Sequence, residues 1–212
     1  MLDLALVLAL AESCAPRAAP ATLAAVAYAE SRFNPLAIGV NRGPRPTRQA
    51  RDRADAARIA ADLLSRGANL DLGLAQINSD NLDWLGLSIA DAFDPCRSLA
   101  AAATVLEAGY RPAGSSAADR QAALRIALSR YNTGHPERGF RNGYVARVED
   151  AAVRLSLAPA PPHPLTAAVE PPDGGPARLT AEPAPAPWDV FARARASRVL
   201  TFSSDPIGSS MP

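Results

Sequence analysis

The sequence contains no lysine: all 22 of its basic residues are arginine, set against 21 acidic ones for a formal net charge of +1. That balance excludes a dedicated nucleic-acid binder, which needs a basic surface to displace counterions. Cysteine and histidine are scarce, two of each, so a multi-cysteine zinc site cannot be built. Aromatic residues make up only 5% of the chain. No apolar run approaches the roughly 18–20 residues of a membrane-spanning helix. Alanine, by contrast, is the commonest residue, and proline is abundant at 20 in 212 positions.

The prolines are unevenly spread. Twelve of them fall in residues 159–212 and only eight in residues 1–158. Proline removes a backbone donor and blocks helix interiors, so residues 158–212 read as an extended or disordered Pro/Ala-rich tail. Within it, Trp188–Phe202 has the pattern of a short amphipathic helix that forms against a partner, although a solvated tail is the simpler reading. At the other end, Leu4–Leu10 is a brief apolar stretch preceded by Asp3 and by no arginine, which is the wrong flank for a secretory signal. Residues 2–12 are therefore expected to be the first helix of a domain spanning 2–157.

That domain reads as all-α. Pro20 suits a first helical turn, and a helix over 21–31 ends at Asn34-Pro35. The spacing predicts a second helix capped by Thr47 and running to Arg66, with Ala50, Ala54, Ala57, Ala61 and Leu64 as its buried seam. Its pairs Arg51/Asp55 and Arg58/Asp62 read as a solvated face. A third helix is expected after a Ser98 cap, a fourth over 117–131, and a last one from about Gly139 to Leu157. Residues 69–78 suggest a short extended piece.

One carboxylate stands apart. Glu30 follows Leu23, Val26 and Ala27 at helical spacing and so falls on the apolar stripe. Two readings are open from periodicity alone. Burial would raise its pKa and suit it to general-acid work, or the helix end would turn it to water. Further along lie Gly73-Leu74-Ala75-Gln76-Ile77-Asn78, a glycine-led turn carrying two amides, and Tyr131-Asn132-Thr133-Gly134, where a helix breaks. Tyr131 and Tyr144 each also read as core aromatics.

In order, Glu30-Ser31, Gly73–Asn78, Tyr131–Gly134 and Tyr144-Val145 resemble the soluble lytic transglycosylase domain, which has a goose-type-lysozyme-like fold and cleaves peptidoglycan. Cys14-Ala15-Pro16, Asn34–Ile38, Asn81–Leu87 and Phe93–Cys96 are similar to the branch that accompanies type IV secretion and conjugation machines. The resemblance covers residues 2–155. It implies that Glu30 is the single catalytic acid and base, needing no cofactor and no metal. It also implies that Ser31, Gln76, Asn78, Tyr131, Asn132 and Tyr144 bind or orient the glycan strand, and that the product carries 1,6-anhydromuramoyl ends. A periplasmic location follows from the resemblance, as does the expectation that type IV secretion components are partners through the tail. A small exported domain with two cysteines suggests a disulfide between Cys14 and Cys96, with two free thiols as the alternative. Ala75 is smaller than the residue many members have there, and is expected to loosen a sugar subsite. Three other readings stay open: a lysozyme-type hydrolase, a non-catalytic muropeptide-binding protein, and a generic helical interaction domain.

Overall fold

The computed structural model describes residues 1–157; the expectations for the tail and for Trp188–Phe202 lie outside the described residues. Nine helices are present there: α1 (Leu4–Cys14), α2 (Pro20–Ser31), α3 (Arg53–Ser65), α4 (Leu82–Leu85), α5 (Ile89–Ala92), α6 (Pro95–Gly109), α7 (Ala117–Thr133), α8 (Arg138–Arg141) and α9 (Tyr144–Arg154). Three short strands, β1 (Ile38–Arg42), β2 (Asn69–Leu72) and β3 (Ile77–Asn78), form one antiparallel sheet in the order β1-β2-β3. The fold is thus mainly helical, and the extended piece at 69–78 is a tight β2–β3 pair. Strand β1 carries no signal of its own in the sequence. Its five residues become a strand because Ile38 and Val40 pair with Leu72 and Leu70.

Helix α2 is the hub. Six successive residues, Thr22–Ala27, are buried, so the helix is covered on all sides rather than along one stripe. Four of the six are small, which lets α1, α6 and α9 approach closely. Leu23 and Val26 are completely buried, worth about 1.5–3 kcal/mol each. Helix α2 ends where Arg32 and Phe33 both take left-handed backbone (φ 55° and 64°). This sharp reversal puts Glu30 in the last turn, at the edge of the core. The Cys14–Cys96 disulfide joins the end of α1 to the first turn of α6, with Cα atoms 5.4 Å apart. No helix among the described residues is long and apolar enough to cross a membrane.

Several expectations need correction. Helix α3 begins five residues later than expected, because Asp52, not Thr47, accepts a hydrogen bond from the Asp55 N–H as N-cap. Its buried face is Asp55, Ala56, Ala60 and Leu63, one step round from the expected alanine seam. Asp55 is not on a solvated face. Its side chain is fully buried and receives Arg48 through two hydrogen bonds (2.5 and 2.7 Å), Arg51 (3.2 Å) and Arg58 (2.8 Å). The Arg48 pair, first, and the Arg51 backbone N–H hold the Asp55 carboxyl well below the usual range. This ties the 43–51 loop to α3. Arg58 reaches Asp55, while Asp62 pairs with Arg66. Helix α6 starts at an Asp94 cap, and Ser98 lies buried inside it. The last expected helix is two, α8 and α9, split at Gly143, whose φ of +76° suits glycine.

Candidate active site

A groove of about 550 Å³ opens between the sheet, α4 and the end of α7. Glu30, Gln76, Asn78, Tyr131 and Asn132 all line it. Three of the separate stretches singled out in the sequence are thereby brought together in one groove.

Glu30 is half-buried, and the hydroxyl of Tyr144 donates to its Oε1 at 2.6 Å. Burial pushes the Glu30 carboxyl up to about 7; the Tyr144 hydrogen bond and the nearby Arg147 pull it down, and Asp71 pushes it further up. Tyr144 itself is 2% exposed. Burial, reinforced by Glu30, raises the Tyr144 and Tyr131 hydroxyls well above the usual tyrosine range, so both remain protonated donors. Tyr144 is held in turn: its N–H donates to Asn142 Oδ1 (3.0 Å), and Asn142 Nδ2 donates to Asn132 Oδ1 (2.8 Å). The Tyr144→Phe variant removes a donor that favours the ionised acid. The expected result is a Glu30 pKa above that of the parent and an alkaline limb of any Glu30-dependent activity displaced to higher pH. An unmoved limb would show that this contact does not tune the acid.

The glycine-led turn is built around backbone groups. Gly73 has φ +74°, and a Cβ there would lie 1.9 Å from the Ala92 carbonyl oxygen, so no side chain fits. Gly73→Ala is expected to destabilise the domain by roughly 3 kcal/mol or more, measurable by urea unfolding. The Ala75 N–H donates to Ser98 Oγ (3.1 Å), and the Ala75 carbonyl accepts from Tyr131 (2.7 Å). The Ala75 side chain is completely buried, so its small size bears on the core and not on a sugar subsite. Gln76 takes left-handed backbone (φ 51°) and is clamped by donating to the carbonyls of Gly73 (2.9 Å) and Ala37 (3.2 Å). Gly39 makes room for it, since a Cβ there would meet Gln76 Oε1 at 2.7 Å. Ser31 does not line the groove. Its hydroxyl points to the Leu74 carbonyl at 2.6 Å and fastens the end of α2 to the turn.

Some groove residues are missed by the sequence reading. Asp71 is a second carboxylate in the groove, accepting from Asn41 Nδ2 (2.8 Å) and Asn78 Nδ2 (2.7 Å). Asn69 completes this amide network, receiving Asn41 and Asn78 at 3.0 Å each. Trp84, on α4, lines the groove with 53% of its surface exposed. An open aromatic face beside amides suits the apolar face of a sugar ring. Alternating polar residues on strands of two to five residues give too little pattern to mark this surface in advance. His135 serves the turn after α7: its carbonyl accepts from Ser129 Oγ (2.7 Å) and its Nδ1 from the Glu137 N–H (3.2 Å).

Comparison with known proteins shows which family the chain resembles. The transglycosylase SLT domain family model matches residues 8–153. The chain is 47% identical over 145 residues to the protein virB1 of Agrobacterium fabrum, covering 68% of this chain and 58% of that relative. It is 43% identical over 181 residues to the protein virB1 of Rhizobium radiobacter, covering 85% and 70%. To the type IV secretion system protein virB1 of Brucella abortus it is 42% identical over 151 residues, covering 68% and 63%. The chain therefore spans less than two thirds of two of these relatives. No solved structure matches it at a significant level. With the family match covering more than half its length, the chain belongs to the transglycosylase SLT domain family.

Proposed function

We propose that this protein is a peptidoglycan lytic transglycosylase that opens the cell wall locally for a type IV secretion or conjugation apparatus. The observation that carries the reading is a carboxyl with a pKa raised to about 7, half-buried in a sugar-sized groove and held by a buried tyrosine. Protonated Glu30 donates to the bridging oxygen as the β-1,4 bond between N-acetylmuramic acid and N-acetylglucosamine breaks. The ionised Glu30 then accepts the proton of the muramoyl C6 hydroxyl as that oxygen bonds to the anomeric carbon. No water is consumed, and the acid ends the cycle as it began. Tyr144 occupies Oε1, leaving Oε2 for the proton transfers, while Gln76, Asn78, Tyr131 and Asn132 line the path of the strand. Membership of the family supports the reaction type, and the printed names of the relatives support the secretion context. The disulfide supports an oxidising compartment such as the periplasm.

A hydrolytic reading has one observation in its favour. Asp71 supplies a second carboxylate in the same groove, as glycosidases that use water require. Mass spectrometry of a purified murein digest separates the two. Anhydromuramoyl ends are expected here; reducing ends, heavier by one water, would establish hydrolysis. Neither product would leave a binding protein. Trp84→Ala is expected to raise KM for murein on the order of tenfold with kcat little changed, as determined by steady-state turbidity clearing.

A further inference from the structure

A second, smaller cavity of about 260 Å³ lies between the 45–48 loop and α3. Four arginines line it, Arg45, Arg48, Arg58 and Arg66, with the carboxylates Asp55 and Asp62. Asp55 is already shared by Arg48, Arg51 and Arg58, and Arg66 meets only the exposed Asp62. In the lining itself four guanidinium groups face two carboxylates. The cavity therefore keeps an excess of about two positive charges: buried Asp55 orients Arg48 and Arg58, while Arg45 and Arg66 reach the cavity from the surface.

The cavity and the groove share no lining residue but are linked through the paired β1–β2 edge. Asn41 lines the groove and donates to Asn69, and Arg42 pairs with Asn69 where β1 meets β2. Directly after this pairing, Gly43 packs so tightly on Ala68 that a Cβ would stand 2.8 Å from its Cα. Arg66 is three residues before Asn69 and Arg45 four after Asn41, so their backbones lie within about 10–14 Å of the groove edge. That is within reach of a short peptide attached to a sugar in the groove.

We infer that this arginine cavity binds the carboxylates of the peptide stem carried by muramic acid, so that the enzyme selects glycan strands still bearing their peptides. Guanidinium groups match carboxylates in paired, directional hydrogen bonds, and the deeply held Asp55 keeps Arg48 and Arg58 oriented in advance. The inference rests on the groove holding the glycan, as proposed above.

The test compares three substrates, stem-bearing strands, strands with amidated stem carboxylates, and strands denuded by an amidase, with the wild type and with Arg45→Gln/Arg66→Gln. Wild type is expected to favour stem-bearing strands over both others by about tenfold in kcat/KM, a preference that weakens with added salt. The double variant is expected to bring that ratio close to one, mainly through KM. Equal treatment of free and amidated stems by wild type, or an undiminished ratio in the double variant, would overturn the inference and leave the glycan reading standing. Failure of wild type to cleave any of the three would overturn the glycan reading and this one with it. Because the amidated substrate is tested on the unaltered protein, the outcome does not depend on how the variant folds.

Discussion

Glu30→Gln is expected to lower murein cleavage by about 10³-fold and, at the same time, to make the folded protein more stable at alkaline pH. The two effects share one cause. In the folded chain the Glu30 carboxyl is raised from 4.5 to about 7, chiefly by burial. Between those values the folded chain keeps a proton that the unfolded chain has released. Stability therefore falls as pH rises through that window, and the cost is complete above about 7. The difference sets a ceiling of about 3 kcal/mol, and partial contact with water reduces it, so a gain of about 1–2 kcal/mol is expected for the glutamine variant near pH 8. Near pH 4 the variant and the parent should be equally stable, since both side chains are then uncharged. Glutamine keeps an acceptor for the Tyr144 hydroxyl, so the groove is preserved. Urea unfolding at the two pH values, with turbidity clearing alongside, reads both halves. Lost cleavage with no alkaline stabilisation would mean that Glu30 is not held in a poorly solvated site.

Removal of the disulfide is the other large effect. Cys14 and Cys96 are 82 residues apart in sequence, and a cross-link over that span restricts the unfolded chain by about 4.5 kcal/mol in the chain-entropy model. Domains of this size are stable by only about 5–15 kcal/mol, so Cys14→Ser/Cys96→Ser should lose a third or more of that margin. Neither sulfur lines the groove. The variant should therefore keep much of its cleavage rate at low temperature while its urea midpoint falls steeply. A small change in midpoint would show that residual structure in the unfolded chain already holds the two ends of this loop together. A lost rate with unchanged stability would show that the bridge sets the groove's geometry.

The amino-acid sequence makes some of this legible and hides the rest for physical reasons. Glu30 falls on a readable stripe because Leu23 and Val26 fix the face of α2. The turn at Gly73 and the break at Gly134 are readable because glycine marks left-handed backbone. Alanine is where the pattern fails. It is tolerated both inside and outside, so the face of α3 cannot be chosen from its alanines. The residue that decides it is Asp55, buried only because Arg48, Arg51 and Arg58 converge on it. Strand β1 forms by pairing with residues some thirty positions later, which local pattern does not encode. Nor does it encode Asp71 beside Glu30, or the bond from Tyr144, which spans 114 positions.

The most direct test follows the side-chain carboxyl carbon of Glu30 by NMR across the pH range in the wild-type protein. The account requires a midpoint close to 7, with Tyr144→Phe moving it higher. A midpoint at the ordinary 4.5 of a free glutamate would contradict it, because such a group carries no proton to give a glycosidic oxygen at neutral pH.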